Sequence, residues 1–226
     1  MLRQCHDISC MQIGDSSIHS TDKAKNIGVM FDENLNFVNH VNLLCRTCYM
    51  HLNNISKIRE YLSKDAAATI VNALVTSRLD NVNAILYGLT QYLIQRMQRV
   101  QNNAARLVCR KKKRDNVTPL LKELHWLPVK HRIEYKIAML VFKCLHNLAP
   151  QYLCDLIERY EPQRSLRSAN KNIVVEKPGK QRIGDRAFKA AGPKVWNELP
   201  DSIRNLNELS SFKVALKTHH FDEAFK

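Results

Sequence analysis

The chain has 226 residues, of which 45% are hydrophobic, and a formal net charge of +14 at pH 7. This length and apolar content suffice for a buried core, and the positive charge favours a polyanionic partner. No apolar run approaches the ~18 residues that a membrane span needs, and no signal-peptide pattern is present, so we expect no membrane contact and a place in the nucleus or cytoplasm. Seven cysteines without an export signal favour reduced thiols.

The positive charge is concentrated in the second half of the chain. Residues 1–94 hold eight Lys or Arg and eight Asp or Glu, whereas residues 95–226 hold 27 and 13. The largest excess lies in residues 95–146, with 13 basic and three acidic residues, and in residues 164–194, with nine and two. We therefore expect the second half to provide the surface that faces a polyanion.

The first 35 residues predict a small antiparallel β patch. Short β-compatible runs flank the pair Gly14-Asp15. A further apolar run, from Asn26 to Phe31 ("NIGVMF"), is bounded by polar residues that suit turns. Runs of this length with turn signals between them are typical of hairpins.

Residues 36–115 predict a bundle of three helices. The first should begin near Asn36, and its apolar residues recur at steps of three and four: Phe37, Val41, Leu44, Cys48, Leu52, Ile55 and Ile58. Ser63 suits the N-cap of the second helix, which we expect to bend beyond Asn81 and to stop at Gly88. Thr90 suits the N-cap of the third helix.

The third helix has an apolar side and a basic side. Its apolar residues are Leu93, Met97, Val100, Ala104, Leu107 and Val108. Its polar stripe comprises Arg96, Arg99, Asn103, Arg106 and Arg110, and it leads into the basic run Lys111, Lys112, Lys113 and Arg114. The stripe has no interleaved acidic residue for i,i+4 ion pairs, so we expect these residues to contact nucleic acid. The alternatives are a solvated face and, for the run, a nuclear localisation signal.

Residues 116–226 predict further helices with a β or loop segment among them. Helices should start at Thr118-Pro119, as N-cap and N1, and at Pro128, with an end near Asn147. A short helix should start at Pro150. The polar, basic residues 162–184 predict a loop or hairpin with a β-like run at 173–175.

The last part of the chain predicts a helix break and a closing helix. The break is expected at Gly192-Pro193, because proline lacks the N–H that a helix interior needs. The closing amphipathic helix should be capped by Ser210 or Ser211.

Long sequence blocks over nearly the whole chain are distinctive: "KNIGVMFDENLNF", "IQRMQRVQNNAARLV", "TPLLKELHWLPVKHRIEYKI" and "GDRAFKAAGPKVWNELP" among them. In this order they resemble the C-terminal region of reverse transcriptases from jockey-like and chicken-repeat-like non-LTR retrotransposons. The resemblance implies an end-of-palm β segment at 1–35, a thumb-like three-helix bundle at 36–115 and a C-terminal helical domain at 116–226 with a basic loop at 162–184. The fold class is therefore mainly α: a thumb-like helical bundle with a small N-terminal β patch and a second helical subdomain containing a short β or loop segment.

The resemblance also implies roles for particular residues. It assigns a primer-grip-like element to Asn26, Ile27, Gly28 and Val29, and it gives the basic stripe the part of a thumb that holds a template-primer duplex by its phosphates. Polymerisation needs clustered carboxylates for two metal ions, which this family supplies in part with paired aspartates. The sequence contains no Asp-Asp pair. We therefore expect a non-catalytic fragment, as from a truncated element, rather than an enzyme.

These observations define the expected partners. We expect RNA, DNA or a hybrid duplex as the partner, and no small-molecule substrate, cofactor or metal ion. The oligomeric state is not predicted. The alternative function is a helical protein-interaction or structural module whose basic faces contact acidic partners, and salt-dependent binding to duplex RNA or hybrid would distinguish the two.

Three further features have a structural explanation. Cys45 and Cys48 have CxxC spacing but lie mid-helix, so we expect buried thiols rather than zinc ligands. Trp126 and Trp196 are expected to anchor packing rather than to stack on bases. The pair His219-His220 is expected at the surface.

Overall fold

The computed structural model of the chain describes residues 10–160, 172–177 and 183–226. These residues are mainly helical, with two small antiparallel sheets near the N-terminus, which confirms the predicted fold class. Contacts divide the chain into two units, Met1–His40 and Val41–Lys226. In the described part, no helix is both long and apolar enough to cross a membrane.

The first unit contains two β-hairpins, so the predicted β patch is confirmed. The strands are β1 (Cys10–Ile13), β2 (Ser16–His19), β3 (Lys23–Asn26) and β4 (Val29–Asp32). Strand β1 pairs with β2 and β3 pairs with β4, both antiparallel. Ile27 and Gly28 connect β3 to β4 with φ of +48° and +81°, the signs that a two-residue type I′ turn requires.

Helices make up most of the rest of the described chain. They are α1 (Val38–Ile58), α2 (Lys64–Val71), α3 (Ser77–Asp80), α4 (Gln91–Val108), α5 (Thr118–Glu123), α6 (Val129–Leu145), α7 (Gln151–Cys154), α8 (Phe188–Asn197), α9 (Asp201–Arg204) and α10 (Leu209–Phe225). A π-helical stretch, Asn72–Thr76, joins α2 to α3 without a break. The Ser63 Oγ accepts a hydrogen bond from the Ala66 amide at 3.1 Å, which confirms this N-cap.

The predicted N-cap of α5 is wrong by one residue, whereas that of α4 is correct. Helix α5 starts at Thr118, one residue earlier than predicted, because the side chain of Asn116 accepts the Thr118 amide at 3.1 Å and so closes a turn there. Pro119 is consequently the second residue of the helix. Thr90 does occupy the N-cap of α4, although its hydroxyl makes no capping hydrogen bond.

The closing helix begins before the predicted serine caps. The N-cap of α10 is Glu208, and no side chain caps this end. The hydroxyls of Ser210 and Ser211 lie 3.5 and 3.4 Å from Glu208 Oε2. These serines are therefore within the first turn, where they contact the N-cap side chain instead of the backbone amides.

The predicted break at Gly192-Pro193 is also wrong, because α8 continues through it. Pro193 is the sixth residue of the helix, so the missing N–H of proline removes one backbone hydrogen bond near the helix start. Gly192 offsets this cost by permitting close packing. A Cβ at Gly192 would lie 3.0 Å from Val141 Cγ2 and 3.1 Å from Ile157 Cδ1, closer than side chains normally approach.

The core of the second unit centres on α6, α8 and α10. Phe142 and Phe212 stack with ring centroids 4.3 Å apart, and Trp196 lies 5.6 Å from Phe212. The Trp196 indole donates to the Asn172 carbonyl at 2.7 Å. Trp126 and Trp196 are both buried, which confirms their predicted role in packing.

Hydrogen bonds join the predicted thumb-like segment to the helices that follow it. Gln101 Nε2 donates to the Leu127 carbonyl at 2.8 Å, and Gln98 Oε1 accepts from the Val129 amide at 2.8 Å. Arg132 Nε donates to Asp80 Oδ1 at 2.7 Å. The division expected between residues 115 and 116 thus lies inside the unit Val41–Lys226.

Most of the predicted loop at 162–184 lies outside the described residues. The β-like run at 173–175 is described, and Val174 forms an antiparallel bridge with Arg159. Two backbone hydrogen bonds flank it, from Tyr160 to Ile173 at 3.0 Å and from Val175 to Glu158 at 2.8 Å.

Candidate nucleic-acid interface

Helix α4 packs by the face that its sequence predicts. Leu93, Met97, Val100, Ala104 and Val108 are buried, and Leu107 is half-buried. Because these residues fix the rotation of the helix, its polar stripe is turned away from the core.

Helices α1 and α4 run parallel beside one another along this stripe. Arg96 Nη1 donates to Asn42 Oδ1, and Asn103 Nδ2 donates to the Tyr49 hydroxyl at 3.3 Å. Both pairs join residues 54 positions apart, so the two helices stay in register over two turns. The outer sides of the two helices therefore form one continuous surface.

The shared register adds two basic residues of α1 to the stripe. Arg46 lies on the same side of α1 as Asn42 and Tyr49, at i+4, and the offset of 54 places it next to Arg99 and Val100. Lys57 lies three turns further along α1, opposite the end of α4. Arg46, Lys57 and Arg99 are exposed, and Arg96 is half-buried. We call these four residues the α1/α4 face.

Acidic residues are absent from both helices that form this face. Neither the 21 residues of α1 nor the 18 residues of α4 include an Asp or Glu. Each guanidinium or ammonium group of the face contributes a positive charge. A surface with only positive charge attracts polyanions from a distance.

Helix α4 ends at Val108, so Arg110 does not extend the stripe as predicted. The Lys111 amide donates to the Arg106 carbonyl at 2.9 Å, and the Arg110 amide donates to the Leu107 carbonyl at 3.3 Å. This pair of bonds is a Schellman motif, which needs a left-handed residue after the C-cap. Arg110 supplies it with φ of +52°.

The Arg110 side chain turns back onto the protein. Its Nη2 lies 3.3, 3.0 and 3.3 Å from the carbonyl oxygens of Arg59, Glu60 and Leu62. Arg110 therefore holds the turn after α1 against the end of α4.

Arg106 has a similar role on the other side of the helix end. Its Nε and Nη2 both donate to the Asp115 carbonyl at 3.2 Å. The Asp115 carboxylate in turn accepts the Lys112 amide at 2.7 Å. These bonds close residues 111–115 into a tight loop that is fastened to α4.

The loop presents the predicted basic run to solvent. Lys111, Lys112, Lys113 and Arg114 are exposed, and their side chains make no hydrogen bond or ion pair within the described ranges. The same holds for Arg99, Arg46 and Lys57. The structure thus separates Arg106 and Arg110, whose guanidinium groups bind backbone carbonyls of the protein, from the basic residues that are available to a ligand.

The primer-grip-like residues belong to the first unit. Asn26 ends β3, Ile27 and Gly28 form the hairpin turn, and Val29 begins β4. Val29 is buried, whereas Ile27 is 83% exposed at the tip. Their assignment to a primer grip stays a prediction.

The CxxC cysteines lie inside the α1 packing face. Cys45 and Cys48 are buried, as predicted, and Cys48 Sγ lies 4.0 Å from the Val75 carbonyl. Burial raises the pKa of Cys45 and raises that of Cys48 to about 12, so both thiols stay protonated and unreactive at neutral pH.

Comparison with protein-family models, curated proteins and solved structures finds no match for this chain. Sequence reasoning found the loop and the α4 stripe, but it missed Arg46 and Lys57. The signal that could have added Arg46 and Lys57 to the stripe was the absence of acidic residues from both helices.

Proposed function

We propose that this chain binds the phosphate backbone of nucleic acid through the α1/α4 face and the 111–114 loop. The observation that supports the proposal best is the arrangement of eight available or half-buried basic residues on two parallel helices and a fastened loop, with no acidic residue in either helix. Lys and Arg that neutralise phosphates release counterions, which gives affinity without sequence preference.

The proposal includes the origin that the sequence resemblance implies. We propose a fragment of a retrotransposon RNA-directed DNA polymerase that contributes thumb-like backbone binding and no catalysis. The hairpin turn at Ile27-Gly28 and the packed α4 with its outward basic stripe are compatible with this origin. The substrate would be a template-primer hybrid or the element's RNA.

Salt dependence tests the face directly. In the triple variant Arg46→Gln, Lys57→Gln and Arg99→Gln, we expect the slope of log affinity against log salt for an RNA–DNA hybrid to fall in magnitude by about 2 to 3, because each lost phosphate contact removes roughly 0.7 to 0.9. Fluorescence anisotropy over a salt series measures this slope. Circular dichroism should not change, because the three side chains are exposed.

A charge-matched variant separates local contact from total charge. Lys136, Lys213 and Lys217 are exposed on α6 and α10, so changing them to Gln removes the same three charges elsewhere. We expect this control to keep the wild-type slope. Equal losses in both variants would show that net charge alone attracts the nucleic acid, and an unchanged slope in the face variant would refute the proposed interface.

A loop variant tests the localisation alternative. Changing residues 111–114 to Gln should also lower the slope if the loop contacts phosphates. Unchanged hybrid binding, together with a loss of nuclear accumulation of the expressed protein, would assign the loop to nuclear import instead.

A further inference from the structure

A cluster of histidine and carboxylate side chains lies between α6 and α10, away from the basic surface. His131 and Glu134 are one turn apart on α6, and His220 is on α10. Each offers one ligand atom, and the three atoms lie within 4.8 Å of one another. Glu223, one turn beyond His220, has its Oε2 3.7 Å from His220 Nδ1.

His220 is buried without the partners that a buried imidazole needs. It is 4% exposed, contrary to the expectation that His219-His220 lies at the surface. Within the described part of the chain, neither ring nitrogen of His220 nor His131 Nδ1 makes a well-formed hydrogen bond; His131 Nδ1 has Glu134 Oε2 at 3.4 Å, and His220 Nδ1 has only the longer contact with Glu223. Buried polar atoms are normally satisfied, so three nitrogens with only such contacts beside one cavity favour a ligand there.

We propose that His131, Glu134 and His220 bind a zinc ion, with Glu223 as the fourth ligand. Two imidazoles and carboxylates form a donor set that zinc commonly takes. No such site was expected from the sequence, where only the CxxC spacing raised the possibility of a metal.

The geometry requires a small closure around the ion. Zinc at about 2.0 to 2.2 Å from each ligand sets neighbouring ligand atoms roughly 3.3 Å apart. His131 Nδ1 and Glu134 Oε2 are already 3.4 Å apart, so His220 and Glu223 must make most of the approach. The cavity beside them has a volume of about 420 Å³, which leaves room for the side chains to turn. Side-chain rotation on fixed helices suffices for a shift of this size.

The surroundings allow an ion to enter and to be retained. The Glu223 side chain is 45% exposed at the rim, whereas Val195 and Leu199 line the cavity as apolar residues. Lys130 Nζ lies 3.7 Å from Glu134 Oε1 and competes for that carboxylate. Its side chain is 67% exposed, so it can turn to solvent when a cation arrives.

The proposed ion would fasten the last helix to the rest of the second unit. Its ligands come in equal number from α6 and α10, so binding zinc stabilises the contact between them. With Glu223 coordinated, the ion has four protein ligands and no open position, which is the arrangement of a structural site rather than a catalytic one. The site is independent of the proposed nucleic-acid interface.

Zinc binding to the full chain tests the inference. The protein is treated with EDTA, desalted and titrated with zinc chloride by calorimetry, and we expect one equivalent to bind and the melting temperature to rise. Cobalt(II) should give the visible bands of a tetrahedral site without a sulfur-to-metal charge-transfer band. The cobalt spectrum thus distinguishes this cluster from a thiolate site.

Two variants and two controls locate the ion. Glu134→Gln and His131→Asn should each lower zinc affinity by more than about 100-fold, because losing a group that coordinates the ion should cost more than losing a group that only orients a ligand, which costs about 10- to 100-fold. The first control, Glu198→Gln, removes a carboxylate that lines the same cavity but lies outside the ligand set, and it should keep wild-type affinity. The second, Cys45→Ala with Cys48→Ala, should also keep it.

Three results would overturn the proposal. They are no stoichiometric binding by the folded wild-type chain, wild-type affinity in the Glu134→Gln and His131→Asn double variant, and loss of binding in the cysteine control. His131 and Glu134 are half-buried, so their variants are expected to fold, and circular dichroism verifies this before titration.

Discussion

Changing Arg59 to Met should lower the free energy of unfolding by about 3 kcal/mol. Arg59 follows α1 and is buried beneath the end of α4. Its guanidinium donates to the Leu107 carbonyl at 2.9 Å, to the Val108 carbonyl at 2.5 Å and to the Leu62 carbonyl at 2.7 Å. The first two are among the C-terminal carbonyls of α4 that have no partner within the helix.

Two effects oppose each other in this variant, and the lost hydrogen bonds should dominate. Removing the charge relieves repulsion, because burial and the neighbouring Arg110 lower the pKa of Arg59 and so disfavour its charged form. The variant also leaves the buried Val108 carbonyl without its side-chain donor, at about 1 to 3 kcal/mol for a buried unsatisfied group. It removes one of two donors from the carbonyls of Leu107 and Leu62, which keep Arg110. A positive charge at the negative end of a helix is moreover favourable by up to about 2 kcal/mol.

Arg46 provides the matched control, because it lies on the same helix but is exposed. Changing Arg46 to Met should alter the free energy of unfolding by less than about 0.5 kcal/mol, as exposed substitutions usually do. Urea denaturation followed by circular dichroism measures both variants. Equal stability of the two variants would show that Arg59 does not cap α4. The expected difference would show that Arg59 stabilises the fold whereas Arg46 does not.

The packing face of α4 could be predicted because helical periodicity directly reflects burial. The end of the helix could not, since helices commonly end at a glycine in the left-handed conformation and here Arg110 occupies that position. A basic residue at the position after the C-cap gives no stop signal in the sequence. The cost of the left-handed conformation of Arg110 is offset by hydrogen bonds from its side chain to carbonyls about 50 residues earlier in the chain. No local sequence pattern encodes these contacts.

The α1/α4 face was only half predictable for a related reason. Sequence periodicity gives the rotation of each helix about its own axis, but the register between two helices depends on contacts such as Asn103 with Tyr49. Without that register, Arg46 and Lys57 are isolated basic residues on a helix. With it, they extend the stripe across a second helix.

The burial of His220 had a signal that the prediction overlooked. The buried residues of α10 are Phe212, Leu216 and His220, which recur at steps of four. A histidine at the next position of an apolar stripe belongs to the packed face, whatever its polarity. Its position opposite His131 could not be predicted, because that depends on how α6 and α10 pack.

The metal-free protein should lose stability as the pH falls from about 6.5 to 4, mainly because of His220. Burial, together with neighbouring His131 and His219, lowers the pKa of His220 to about 4 from 6.5. In this window the unfolded chain binds a proton that the folded chain excludes. The contribution of neutral His220 to stability is therefore fully present above about pH 6.5 and is lost as the pH falls toward 4. The shift corresponds to a loss of about 3 kcal/mol.

The groups that face His220 modify this loss in known directions. Burial also lowers the pKa of His131 on α6, which adds to the loss below its ordinary value of 6.5. Burial raises the pKa of Glu134, so its protonation favours the folded state and offsets part of the loss at the acid end. The other ionisable side chains that line this cavity are Glu223 and His219 on α10, Glu198 after α8 and Lys130 on α6.

Urea denaturation at several pH values, in EDTA to exclude metal ions, measures the effect. We expect His220→Phe to reduce the pH dependence between about 6.5 and 4 by roughly 3 kcal/mol, because the unfolded and folded chains then bind equal numbers of protons at this position. Phe212→Leu is the control on the same helix. It removes packing without removing a titrating group, so it should lower stability equally at each pH, and an identical pH dependence in wild type and H220F would exclude His220 as the source of acid sensitivity.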